Sequence, residues 1–131
     1  MESSDLVRAL DKLAIDASVS AGSLLFRRGD HVSGVFIVRS GKVALICAGR
    51  SDNVFPLETV GPGGLIGLPA AFNGDYSVTA RAVEDCEVGY IPADRVLHAL
   101  DGDTVLMQSA LKFLAQELAR MRSLYARSSD S

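Results

Sequence analysis

Between residues 14 and 92 the apolar residues occur in short runs separated by turn-forming residues, which is typical of a mainly β protein. The runs are rich in β-branched and aromatic side chains, while glycine, serine, aspartate and asparagine fill the gaps. They cover residues 24–26, 35–38, 43–47, 54–57, 76–83 and 87–91. Many short strands at even spacing predict a β-barrel or a β-sandwich.

Helical periodicity appears on both sides of this β region. Leu6, Leu10 and Leu13 form a narrow apolar stripe, which predicts a short N-terminal helix within residues 1–13. Pro92 is well placed to begin another helix, because its fixed backbone angle suits the first turn and its missing N–H costs nothing there.

The longest periodic segment covers about residues 104–126 and has two faces. One face carries Leu106, Ala110, Phe113 and Glu117, and its apolar residues are expected to pack on the β body. The other face alternates spacings of four and three residues, the heptad pattern of paired helices. We predict that this face forms a homodimer interface, although an intramolecular core is the alternative. Its members are Met107, Leu111, Leu114, Leu118, Met121 and Tyr125.

A glycine-rich segment, residues 61–76, contains five glycines. Glycine permits tight turns and close approach of the backbone, and residues 68–72 are long enough for one helical turn with Pro69 near its start. The N–H groups that begin such a turn attract anions. The segment therefore predicts either a small anion-binding pocket or only a set of turns between strands.

Composition limits the classes of function. With 131 residues and a formal net charge of −3, the chain fits one domain and has no basic field that favours nucleic acid or an anionic membrane. It shows no signal peptide and no apolar run of membrane-spanning length, so a cytoplasmic location is expected. Cys47 and Cys86 lie in separate apolar runs and are expected to be reduced core thiols.

The sequence offers little for catalysis or metal binding. No set of nucleophile, base and orienting residue can be assembled, so we expect no enzymatic activity. His31 and His98 stand apart, whereas a metal site needs clustered ligands. No metal and no certain cofactor is predicted, and a haem sensor that uses His98, Cys47 or Cys86 stays open as an alternative.

Three motifs resemble a known family. They are Gly22-x-Leu24-x-Phe26-x-x-Gly29-Asp30, Gly34-Val35-Phe36-Ile37-Val38-x-Ser40-Gly41-x-Val43 and Gly61-Pro62-Gly63-x-x-Ile66-Gly67. Over about residues 14–126 they resemble the cyclic nucleotide-binding domain of bacterial regulators of the catabolite-activator and fumarate–nitrate-reductase class. The winged helix-turn-helix of that class is not found within residues 1–131.

The resemblance implies an antiparallel jelly-roll barrel over residues 14–92, helices including a dimerisation helix over 93–127, and a short phosphate-binding helix between two strands. The small polar tail at 128–131 is expected to be disordered. The implied ligand pocket is formed by Ile66, Gly67, Leu68, Pro69, Ala70, Ala71, Tyr76, Ser77 and Arg120.

The phosphate-binding segment departs from the family pattern at its two ligand-binding residues. Leu68 stands where the family has the glutamate that binds ribose, and Tyr76 where it has the arginine that binds the cyclic phosphate, with Asp75 just before. Each lost charge-assisted hydrogen bond costs about 1.5–3 kcal/mol. If an anion binds, the Tyr76 hydroxyl and the N–H groups of Ala70 and Ala71 are expected to hold it.

We therefore predict a non-catalytic sensory or regulatory module with weak or no binding of cAMP and cGMP. Its candidate ligands are a cyclic nucleotide or another small anion, or the pocket holds none. The alternatives are the N-terminal effector domain of a DNA-binding transcription regulator and a purely structural dimerisation domain.

Overall fold

The computed structural model describes residues 2–48 and 54–129. The elements are α1 (Glu2–Asp11), β1 (Ile15–Val19), β2 (Leu24–Phe26), β3 (Gly34–Ser40), β4 (Val43–Ala48), β5 (Val54–Val60), β6 (Leu65–Ile66), α2 (Leu68–Asn73), β7 (Thr79–Ala82), β8 (Cys86–Pro92), α3 (Ala93–Asp101) and α4 (Thr104–Ser129).

The eight strands form two four-stranded sheets, with strand orders β1-β8-β3-β6 and β2-β7-β4-β5. Every strand pair is antiparallel. This distribution of antiparallel strands between two sheets is the jelly-roll arrangement, so the predicted mainly β fold is confirmed. Among the strands described, the hydrogen-bonded ladders stay within each sheet, and the architecture is a two-sheet sandwich rather than a closed barrel.

Strand β3 serves both hydrophobic cores of the domain. Its first five residues are buried, and successive side chains point to opposite faces of the sheet. Phe36 and Val38 belong to the core between the two sheets, whereas Val35 and Ile37 belong to a second core under the helices. β6 and β8 also contribute residues to both cores, so these three neighbouring strands join the helices to the sandwich.

Two strands were not predicted from the pattern of apolar residues. β1 has the sequence Ile-Asp-Ala-Ser-Val with no buried residue, so it lacks the apolar run of a core strand, although it pairs with β8 along its length. β6 has only two residues and lies within the glycine-rich segment, where it pairs with Phe36 and Ile37 of β3. Both segments therefore form strands because of their pairing with neighbouring strands, and not because of their local composition.

Helix α4 packs against its own domain on more than the one predicted face. Leu106 and Phe113 contact the helix-side core, as expected, and Ala110 is fully buried there. However, Met107 and Leu114 also pack against that core, and Met121 packs against the inter-sheet core. α1 and the sandwich together cover a wide arc of α4, which leaves Leu111 and Leu118 as the exposed part of the heptad face, at 55% and 58% exposure.

The C-terminal end of α4 extends beyond the predicted helical segment. The helix runs to Ser129 and so includes the first two residues of the segment expected to be disordered, because neither glycine nor proline interrupts it.

Cys86 is buried, and its thiol donates to the Lys42 carbonyl at 3.3 Å. The side chains of Cys47 and Tyr125 lie outside the described residues. No helix in the described ranges is both long and apolar enough to span a membrane.

Candidate functional site

A cavity of about 880 Å³ lies between the β2-β7-β4-β5 sheet and α4, with α2 and β6 at one end. Most of its wall is apolar, and its polar groups come from β5, α4 and the segment after α2. The residues that form the apolar wall include Phe26, Leu45, Val60, Leu65, Val78, Phe113, Leu114, Leu118 and Met121.

Seven of the nine residues predicted to form the ligand pocket line this cavity. They are Ile66, Gly67, Pro69, Ala70, Tyr76, Ser77 and Arg120. Leu68 and Ala71 are not among the lining residues and lie instead in the helix-side core, where Leu68 is fully buried. Residues three apart share one face of a helix, so the single turn of α2 directs both of them away from the cavity.

The Tyr76 side chain is buried, and its hydroxyl is fixed to the beginning of β3. The hydroxyl donates to the Gly34 carbonyl at 2.6 Å and accepts from the N–H groups of Gly34 at 3.1 Å and Ser33 at 3.2 Å. A phenol has one proton to donate and accepts about two hydrogen bonds. The Tyr76 hydroxyl is therefore fully used by the protein, rather than free to bind an anion as expected from the sequence.

The geometry of β3 explains why this hydroxyl is needed. The register that pairs Phe36 with Ile66 places Gly34 beyond the end of β6, so the edge of β3 has no strand beside it there. The Tyr76 hydroxyl supplies the donor and acceptor that the edge lacks. On its other side, the backbone of β3 at Gly34 lies close to β8. A Cβ on Gly34 would lie 2.2 Å from the Ile91 carbonyl oxygen and 2.7 Å from the Tyr90 ring.

The Tyr76 ring also forms part of the cavity wall. It stacks on Phe26 with ring centroids 3.7 Å apart and an interplanar angle of 5°. The hydroxyl holds the edge of β3 while the ring packs in the inter-sheet core. Both ends of the side chain therefore have a structural partner.

The start of α2 offers few groups for an anion. Gly67 takes a left-handed conformation with φ 92°, which only glycine adopts readily, and begins the helix. Pro69 has no N–H, and the Ala70 N–H donates to the Gly67 carbonyl at 3.2 Å. The Ala70 N–H that was expected to hold an oxyanion is thus engaged within the turn.

The polar end of the cavity joins β5 to α4. Arg120 makes a two-pronged ion pair with Glu58, with Nε to Oε1 at 2.9 Å and an amino nitrogen to Oε2 at 3.0 Å. Glu117, one helical turn earlier, lies with a carboxylate oxygen 4.0 Å from Arg120. Arg122 lines the same cavity and is exposed.

The titration of the Glu117 carboxyl is displaced from its usual range. Its side chain is only 12% exposed, and this desolvation, together with the neighbouring Glu58 charge, raises the pKa of Glu117 to about 7 against the opposing effect of Arg120. Near neutral pH the cavity therefore holds a carboxyl that changes charge.

Sequence reasoning missed Glu58 as a site residue and placed Glu117 only on a packing face. The helical spacing from Phe113 does bring Glu117 toward the body, so a glutamate on that face was the available signal. Glu58 gave no signal, because its position depends on the pairing of β5. Within the described ranges, no group of three or more His, Cys, Asp or Glu side chains is placed to hold a metal ion.

The raised pKa of Glu117 predicts a pH-dependent stability. The folded protein binds this proton more tightly than the unfolded chain, so the contribution of Glu117 to stability is largest at low pH and is lost as pH rises from about 4.5 through about 7. Glu117→Gln, a neutral isostere, should exceed the parent in free energy of unfolding by up to about 3 kcal/mol at about pH 8 and by less than about 1 kcal/mol at about pH 5.

Urea unfolding at the two pH values measures this difference. Glu84→Gln is the matched control, because it removes the same charge from an exposed turn and should shift neither value appreciably. Equal stability of Glu117→Gln and the parent at both pH values would show that Glu117 is not desolvated.

Comparison with known proteins agrees with this fold. Residues 17–103 match the family model of the cyclic nucleotide-binding domain. The chain is 34% identical over 101 residues to the transcriptional activator protein FnrA of Stutzerimonas stutzeri, and 29% identical over 99 residues to the transcriptional activator protein anr of Pseudomonas aeruginosa. These alignments cover 76% and 74% of this chain but only 39% and 40% of the relatives, so the chain spans about two fifths of their length.

A solved structure extends the likeness of fold to almost the whole chain. The catabolite activator protein of Thermus thermophilus superposes with a TM-score of 0.80 at 24% identity, over 95% of this chain and 59% of that protein. The predicted family is confirmed: this chain belongs to the cyclic nucleotide-binding domains and is related to transcription regulators of the catabolite-activator and FNR type.

Proposed function

We propose that this chain is a non-catalytic sensory domain whose pocket binds cAMP and cGMP weakly or not at all. The observation that carries the proposal is the engagement of Tyr76, whose hydroxyl is saturated by Ser33 and Gly34 and whose ring is stacked on Phe26. Leu68, at the second family position, is buried in the helix-side core. Neither position can make the contact that the family resemblance implies.

The free energy of the missing contacts is a substantial share of the binding free energy of a typical small ligand. Two charge-assisted hydrogen bonds at about 1.5–3 kcal/mol each amount to about 3–6 kcal/mol, or roughly a hundred-fold to ten-thousand-fold in dissociation constant. Arg120 does not replace them, because it is already paired with Glu58, and the other cationic side chain of the lining, Arg122, is exposed.

We infer further that the domain acts as the effector part of a DNA-binding transcription regulator. Support comes from the two relatives, both of which are described as transcriptional activators and both of which are longer than this chain. The net charge of −3 argues against DNA contact by this chain itself. The ligand state of the pocket would then reach the DNA-binding region through α4, which borders the cavity.

Dimerisation through α4 is the second part of the proposal. Leu111 and Leu118 lie seven residues apart, which places them on one side of the helix, and both are more than half exposed. Isolated exposed leucines need no explanation, but two of them in heptad register favour a partner helix.

Isothermal titration with cAMP and cGMP tests the pocket directly. We expect no saturable heat up to about 1 mM nucleotide, because the two charged contacts are lost and the Tyr76 hydroxyl and the Ala70 N–H are engaged within the protein. Denaturing mass spectrometry beforehand excludes a nucleotide that co-purified. Binding at micromolar concentration, with one site per chain, would overturn the proposal.

Sedimentation of Leu111→Asp with Leu118→Asp tests the dimer. The double substitution places two carboxylates at an apolar contact and should convert a dimer into a folded monomer, because both positions are exposed within one chain. Leu97→Asp, at a leucine of α3 that is 37% exposed, is the control and should leave the dimer intact. A dimer that survives the double substitution would contradict this interface.

A further inference from the structure

The cavity is large and apolar for an anion-binding site. Its volume of about 880 Å³ lies in the range of pockets that bury drug-sized molecules. Phe26, Val60 and Val78 line it from the sandwich, and Phe113, Leu114 and Met121 line it from α4. Binding in a cavity with such a wall is favourable for a ligand whose apolar surface leaves water on binding.

The charged groups at its polar end disfavour ligands of either charge. An incoming anion would meet the carboxyl groups of Glu58 and Glu117, while Arg120 is already paired with Glu58 and Arg122 lies on the exposed side. An incoming cation would meet Arg120 together with Arg122, which lines the cavity from the exposed side. Like-charge contacts with these side chains lower the affinity of a charged ligand, most strongly at Glu117, whose side chain is only 12% exposed.

Resting on the proposed loss of cyclic nucleotide binding, we propose that this cavity binds an uncharged, mainly apolar small molecule and that Glu58 and Glu117 exclude anions from it. The bound molecule contacts the sandwich on one side and α4 on the other. Its occupancy therefore stabilises the position of α4 against the sheet that carries Glu58.

A matched pair of fluorescent probes tests whether the cavity excludes anions. N-phenyl-1-naphthylamine is uncharged, and its 8-sulfonate has the same aromatic body with one negative charge. At about pH 8 the uncharged probe should bind with about one site per chain and enhanced emission, and the sulfonate should bind at least about tenfold more weakly. Glu117→Gln should reduce this ratio severalfold, whereas Glu84→Gln, outside the cavity, should not change it.

The pH dependence of probe binding tests the role of Glu117 independently. As pH falls through about 7, Glu117 becomes neutral, so sulfonate affinity should rise while the affinity of the uncharged probe stays constant. The charged groups that face Glu117 are Glu58 and Arg120, with Arg122 also on the cavity, and there is no histidine among the lining residues described. Glu117→Gln should abolish the pH effect on the sulfonate.

A blocking variant locates the probe. Ser77 is exposed at the edge of the cavity, so Ser77→Trp should fold normally and weaken the uncharged probe at least about tenfold. Ser20 is exposed and is not among the lining residues, so Ser20→Trp is the matched control and should leave the affinity unchanged.

The outcomes separate this inference from the proposed function. The inference is overturned if neither probe binds, if both bind equally at about pH 8, or if Ser77→Trp leaves binding of the uncharged probe unchanged, and weak cyclic nucleotide binding would then still stand. Displacement of the uncharged probe by micromolar cAMP would instead overturn the proposed function and the inference with it.

Discussion

The pocket wall of this domain depends on the hydrogen bonds that join the Tyr76 hydroxyl to the edge of β3. β6 is too short to cover Gly34, and the hydroxyl supplies the missing donor and acceptor while the ring stacks on Phe26. An unpaired backbone group in this buried position would cost about 1–3 kcal/mol. A side chain held at both ends in this way fixes the relative position of the segment after α2 and the start of β3.

This constraint has a direct functional consequence. A residue that holds the wall together is not available to hold a ligand. Tyr76, which the resemblance predicts to stand at the phosphate-binding position of the family, therefore has a structural role here. Leu68 reinforces the change, because it is buried in the core under the helices instead of facing the cavity. The chemistry of the cavity then comes from its apolar wall and from Glu58, Glu117 and Arg120, which belong to β5 and α4.

The sequence predicted the features that depend on local pattern. Apolar runs with turn residues between them marked most strands, and the three glycine-containing motifs identified the family. It could not predict β6 or the Glu58–Arg120 pair, because both depend on residues far apart in the chain. The heptad face was visible, but the packing of Met107, Leu114 and Met121 on the same chain was not, since periodicity does not say how wide an arc of a helix the domain covers.

The most direct test of this account is the stability of Tyr76→Phe, measured by urea unfolding and compared with Tyr90→Phe. Both substitutions remove one hydroxyl and keep the ring, but Tyr90 donates to the Ser33 carbonyl from a more exposed position. Tyr76→Phe should lower the free energy of unfolding by about 1–3 kcal/mol and Tyr90→Phe by less than about 1 kcal/mol. A Tyr76→Phe variant as stable as the parent would mean that the hydroxyl does not hold the wall and is free to serve a ligand.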